Sequence, residues 1–241
     1  MSAPRPATPG GAAPADPAAE ALAGLAASGS LGTWLERRRP PAGAATRDAA
    51  VLMLFGRGQP PRTSAGRDEV ERLTDLGAGD VDVVLLQRAA TLRSHAGQVA
   101  FPGGKRDPED ADAVAAALRE THEETGVEPA AIEVLGQLGA LYVPASGFCV
   151  TPVLGWAGTA HEVRVVDEAE SASVYRVAVA DLVAPANRGT FAVPGTGYVS
   201  PVFDAGVLRA WGFTAGLLEG VFDALGWARP WDRERRLDVR Y

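Results

Sequence analysis

The chain is poor in the features that mark several large functional classes. Its 241 residues include a single cysteine, Cys149, so no intrachain disulfide can form and nothing points to an oxidising compartment. Basic residues are in deficit: 23 Lys and Arg stand against 30 Asp and Glu, a formal charge of −7. Proteins that hold nucleic acid non-specifically present a basic face instead. Long apolar runs are also missing. The strongest near the start, Ala49 to Phe55, is far too short to span a bilayer. Pro4, Pro6 and Pro9 stand where the apolar stretch of a secretion signal would lie. No internal repeat is visible. These absences lead us to expect a cytoplasmic protein with a small-molecule partner, no nucleic acid and no membrane; a homodimer stays open. What is present, 46% hydrophobic residues, suffices for one sizeable core.

Residues 1–18 are almost wholly Ala, Pro, Gly and Ser, a composition that buries too little apolar surface to offset the entropy of ordering. We expect an Ala/Pro-rich disordered tail over 1–30, with room for a short helix at Ala19–Ser28, and one domain over 31–241. Arg37, Arg38 and Arg39 read as a solvated run. The segments 49–55, 81–88, 132–138, 149–156 and 173–179 read as strands. Asp110 to Thr125 is Ala-rich, free of Pro and Gly, and closed by Gly126, which predicts a helix with Asp110 as its N-cap. A second amphipathic helix is expected over about 205–226. Strands alternating with helices imply an α/β layered fold with a mixed sheet.

Glu120, Glu123 and Glu124 fall at i, i+3 and i+4 of the first helix and share one face. They repel one another and sit at the end where the helix dipole disfavours negative charge. A hard cation such as Mg²⁺ or Mn²⁺ would reverse that effect by taking oxygen ligands and bridging phosphates. An ordinary acidic surface is the alternative. Phe101-Pro102-Gly103-Gly104, just upstream, is a strand end whose glycines permit close backbone approach.

Gly104, Arg119-Glu120, Glu123-Glu124 and Gly126 together resemble the Nudix box of the Nudix hydrolases. The resemblance implies a Nudix fold, a mixed β-sheet sandwiched between α-helices, and hydrolysis of nucleoside diphosphates linked to another moiety. It also implies Mg²⁺ or Mn²⁺ held by Glu120, Glu123 and Glu124, with Arg119 orienting a carboxylate. Arg119 lies 15 positions after Gly104, one more than the common box allows, and the extra residue falls in the loop.

Leu85-Leu86-Gln87-Arg88, Arg93 and the run Gly97 to Gly104 further resemble the coenzyme A pyrophosphatase branch, as do the loop Gly103 to Pro108 and the stretch Ser146 to Val153. This implies cleavage of coenzyme A or an acyl-CoA into 3′,5′-ADP and (acyl-)4′-phosphopantetheine. Arg88, Arg93, Lys105, Gly103 and Gly104 are the expected substrate-binding residues, because arginine suits phosphate through its planar fork; structural ion pairs are the alternative for Arg88 and Arg93. Glu123 and Glu170 are the candidate general bases, with Arg119 completing the catalytic set and Glu168 second to Glu170. His95 and His122 carry little weight. Two other functions compete: pyrophosphohydrolysis of (d)NTPs or other nucleoside diphosphates, and a non-catalytic Nudix-like ligand sensor.

Overall fold

A computed structural model describes residues 16–29, 31, 38–41, 43, 45–92, 95–144, 146–159 and 162–239. The main sheet is built around β1 (Arg47–Arg57). On one side β1 runs parallel to β7 (Phe148–Trp156) along its whole length. On the other side two strands share its edge, both antiparallel: β2 (Val81–Arg88) pairs with residues 55–57 and β4 (Gly103–Lys105) with residues 49–51. β2 and β4 therefore splay apart along β1, and the gap between them opens towards the end of β2. The sheet is completed by β3 (Val99–Ala100) and β8 (Ser171–Ala178) on β2, and by β5 (Glu133–Gln137) and β6 (Leu141–Val143) on β7. It is a mixed sheet, as expected.

Because side chains alternate across a strand, β1 feeds two cores. Ala50, Leu52 and Leu54 pack with Val84, Val153, Ala116 and Ala117. That core lies under α3 (Ala113–Thr125). Met53 and Phe55 face the opposite way and join Leu22, Leu73, Leu154, Leu217 and Trp227. Here the cover is α1 (Pro17–Ser28), α2 (Ser64–Asp75) and α5 (Gly212–Ala224). With helices on both faces, the α/β/α sandwich is the Nudix fold that the sequence leads us to expect. No described helix is long and apolar enough to cross a membrane.

Two expectations need correction. The disordered tail cannot extend to residue 30. Asp16 caps α1 by accepting from Ala18 and Ala19 N–H groups and pairs with Arg57, while Leu22 and Leu25 enter the core. The boundary fails because the helix finds its apolar partner on β5 and β7 rather than on itself; residues 1–15 lie outside the described residues. The helix expected from 205 begins only at Gly212. Asp204 to Arg209 forms a tight hairpin in which β11 (Arg209–Ala210) pairs with β10 (Val199–Asp204). With β9 (Arg188–Ala192) these make a second, three-stranded sheet. The short helix α4 (Val179–Val183) precedes it. Thr214 of α5 donates its hydroxyl to the Val99 carbonyl at 2.9 Å, so α5 fastens β3 just ahead of the Gly103-Gly104 pair.

Candidate active site

The site forms where β2 and β4 diverge. Two glycines let β4 pack closely, Gly103 on β1 and Gly104 under α3. Gly103 has φ +148°, and a Cβ there would meet the Ala50 carbonyl oxygen at 2.3 Å. A Cβ on Gly104 would instead meet the Glu120 carboxylate at 2.5 Å. Each position thus needs glycine for a different reason: backbone against backbone at Gly103, and room for a carboxylate at Gly104.

The three helical carboxylates are not equivalent. Glu124 is 4% exposed and its Oε2 accepts from the Gly103 N–H at 2.9 Å. Burial pushes its carboxyl up to about 7, and the neighbouring Glu120 and Glu170 charges add to the rise while Gly103 N–H and Arg88 oppose it. Burial likewise raises Glu120, with Glu123 and Glu170 contributing against the lowering effect of Arg119. Glu123 stands apart on the outer side, half exposed, where Arg119 Nη1 holds its Oε2 at 3.0 Å. The same Nη1 reaches Glu120 Oε1 at 3.0 Å. Positions i and i+4 face the sheet, and i+3 turns to solvent.

Arg119 is anchored from behind by Asp110, through Nε to Oδ1 at 3.1 Å and Nη2 to Oδ2 at 2.9 Å. Asp110 is buried, and these hydrogen bonds, with one from the Asp107 N–H, draw its carboxyl down to about 2. The expected N-cap role is therefore wrong: Asp112 caps α3 by accepting from Ala115 N–H at 2.8 Å. Only a contact nine residues away along the chain distinguishes Asp110 from Asp112, so composition alone carries no signal for it.

Arg88 ends β2 at a register shift opposite Ser171, a bulge of the kind that re-aims a side chain. Its Nη1 lies 4.0 Å from Glu124 Oε1. Glu170 is exposed and adjoins this point, its carbonyl accepting from Ala89 N–H at 2.9 Å. Lys105 is exposed, 3.7 Å from Asp107. Arg93 lies outside the described residues. His122 turns away, towards the Val127 carbonyl at 3.4 Å, and His95 sits beside Gln98 at 2.9 Å with φ 55°.

Among the described residues no group of three Asp, Glu, His or Cys side chains is gathered to hold a metal ion as the side chains stand. The donor set nevertheless suits one chemically. A buried Glu124 and a partly buried Glu120, both raised by burial and by neighbouring carboxylates, Glu170 among them, are oxygen donors that a hard divalent cation would neutralise.

Residues 74–191 match the family model of the NUDIX domain. Among curated proteins, the uncharacterized Nudix hydrolase NudL of Cronobacter sakazakii is 55% identical over 73 residues, 30% of this chain and 38% of that protein. The protein of the same name from Salmonella newport is 48% identical over 93 residues, 36% of this chain and 48% of that protein. The chain thus spans less than half the length of these relatives. Among solved structures, a MutT/nudix family protein from Enterococcus faecalis is 18% identical with a TM-score of 0.47, covering 80% of this chain and 67% of that one. The NUDIX domain of Shewanella oneidensis NrtR, complexed with ADP ribose, is 22% identical with a TM-score of 0.39, covering 63% and 85%.

Proposed function

From a chain whose residues 74–191 are a NUDIX domain, we propose a metal-dependent diphosphatase whose substrate is coenzyme A or an acyl-CoA. The observation that carries this reading is a buried Glu124 beside Arg88 and a partly buried Glu120 beside Arg119, in the gap between β2 and β4. Isolated buried carboxylates are costly, and a phosphate-handling site gives them a use. The sequence from Leu85 to Gly104, which resembles the coenzyme A pyrophosphatase branch, supports the narrower substrate.

Glu120, Glu123 and Glu124 would hold Mg²⁺ or Mn²⁺. Bound there, the ion supplies charge neutralisation for the diphosphate and acidifies a water. Arg119 sets the carboxylate of Glu120 and ties down Glu123, which keeps both oxygens directed. Arg88 and Lys105 bind phosphate oxygens, and Gly103 and Gly104 serve the site by letting β4 close on β1 and by leaving room for the Glu120 carboxylate. Glu170, exposed just ahead of β8 and beside the end of β2, takes the proton of the attacking water; Glu123 is the alternative base. Water oxygen bonds to one phosphorus as the bridging P–O bond breaks, giving 3′,5′-ADP and (acyl-)4′-phosphopantetheine.

The test is incubation with coenzyme A, NADH, ADP-ribose and several dNTPs, with Mg²⁺ or Mn²⁺, and identification of products by mass spectrometry. Release of 3′,5′-ADP well above turnover of the others supports the reading. Turnover of dNTPs alone removes the substrate assignment. No turnover of any, with Glu124→Gln binding ligand as well as wild type, makes the protein a sensor.

A further inference from the structure

Beyond the carboxylates, the end of the sheet gathers positive charge from strands far apart in sequence. Lys105 pairs across β4 and β1 with Ala49, two residues from Arg47. Arg47 pairs with Phe148 of β7, which pairs in turn with Val143 of β6. Arg106 continues from Lys105, its N–H bonded to the Asp48 carbonyl at 3.0 Å. In a chain of formal charge −7, this end carries Arg47, Lys105 and Arg106 within one row of strand ends.

A shallow cavity of about 330 Å³ opens there, lined by Arg47, Asp48, Lys105, Arg106, Asp107 and Pro108. Arg47 is set before any ligand arrives. Its guanidinium lies 4.2 Å over the Phe148 ring, and Nη2 donates to the Ser146 carbonyl at 2.7 Å. Asp107 is the only carboxylate in reach of Lys105 among the described residues, at 3.7 Å, a loose pair between exposed groups that an incoming dianion can displace. The cavity borders the carboxylates: Gly104 packs on Glu120, Lys105 follows it, and Asp107 Oδ2 is 3.7 Å from Arg119 Nη2.

We propose that this cavity is a second anion subsite, taking a phosphomonoester that the substrate carries on its sugar beside the scissile diphosphate, with Arg47 as its principal residue. The inference rests on the diphosphatase reading above and adds to it a residue that discriminates nucleotides with an extra phosphate from those without. A planar guanidinium already fixed by an aromatic face and a carbonyl loses little freedom on binding a phosphate. Charge-assisted hydrogen bonds of this kind support selectivity of about tenfold or more.

Calorimetry of adenosine 3′,5′-bisphosphate and of 5′-AMP, with Mg²⁺, tests the subsite without turnover. Wild type should bind the bisphosphate about tenfold or more tighter than AMP. Arg47→Ala should shrink that preference to within about threefold, and Arg47→Lys, which keeps the charge but not the planar fork stacked on Phe148, should retain only part of it. Equal binding of the two ligands by wild type overturns the proposal, as does a preference that survives in Arg47→Ala or a loss equal for both ligands. Kinetics with coenzyme A and 3′-dephospho-coenzyme A separates this from the functional reading. Equal kcat/KM for the two overturns the subsite and leaves the diphosphatase standing. A bisphosphate preference without coenzyme A turnover removes the substrate reading and leaves the subsite.

Discussion

Asp110 grips Arg119 with both carboxylate oxygens, at 3.1 Å and 2.9 Å, from the loop that joins β4 to the helix bearing Arg119. Arg119 in turn holds Glu120 and Glu123, so the loop sets the two helical carboxylates through one guanidinium. Asp110→Ala should lower kcat/KM by about 10- to 100-fold if the proposed reaction is catalysed here, the loss that removal of an orienting partner causes at metal sites. Thermal unfolding should show that the variant remains folded. Activity within about twofold of wild type would remove Asp110 from the positioning role.

The same contact has a pH signature. The hydrogen bonds from Arg119, followed by that from Asp107 N–H, draw the Asp110 carboxyl from the usual 3.8 down to about 2. A carboxylate lowered in this way contributes stability fully above its unfolded pKa and loses it as pH falls through the folded one. Wild type should therefore be more stable than Asp110→Asn above pH 4, with the difference in Tm closing between about pH 4 and 2. A difference that stays constant across that window would show that the two proteins differ for another reason.

Adjacent glycines should behave oppositely on substitution. Gly103→Ala sets a Cβ against the Ala50 carbonyl oxygen in a backbone with φ +148°, and neither can yield. Stability should fall by about 2–4 kcal/mol. Gly104→Ala meets only the Glu120 carboxylate, the far end of a flexible side chain. It should leave the urea midpoint nearly unchanged while kcat falls by about tenfold or more, because Glu120 is displaced. Equal loss of stability in both would refute the distinction.

Glu124 is buried and held above its ordinary pKa by that burial. In Glu124→Gln the amide oxygen can still accept from Gly103 N–H, and no charge remains to be desolvated. The variant should be as stable as wild type or more so, by up to about 1 kcal/mol, while activity drops by about 100-fold or more. A marked loss of stability would make Glu124 a structural residue.

The helix α1 offers a test of the domain boundary. Leu22 is fully buried in the core beside Leu25. Leu22→Ala should cost about 2–4 kcal/mol, read from chemical denaturation, with no direct effect on the carboxylate site. A cost under about 0.5 kcal/mol would return residues 17–28 to the tail.

The sequence by itself determined what is local. Spacing of three and four along a helix placed Glu120, Glu123 and Glu124 together, the Ala-rich run closed by Gly126 marked α3, and Val- and Leu-rich segments marked β1 and β2. The layered α/β class followed from their alternation. Tertiary structure decided which carboxylates enter the site. β4 packs against one side of α3 only, so Glu124 is buried, Glu120 is partly buried and Glu123 is left exposed. It also decided that Asp110 holds Arg119 while Asp112 caps the helix, that α1 has a core to join, and that Arg47 and Lys105 meet at one strand end. Periodicity and capping are set by residues within a turn or two of one another. Strand register and the docking of a helix on a sheet depend on the summed packing of segments tens of residues apart, which no single stretch of sequence contains.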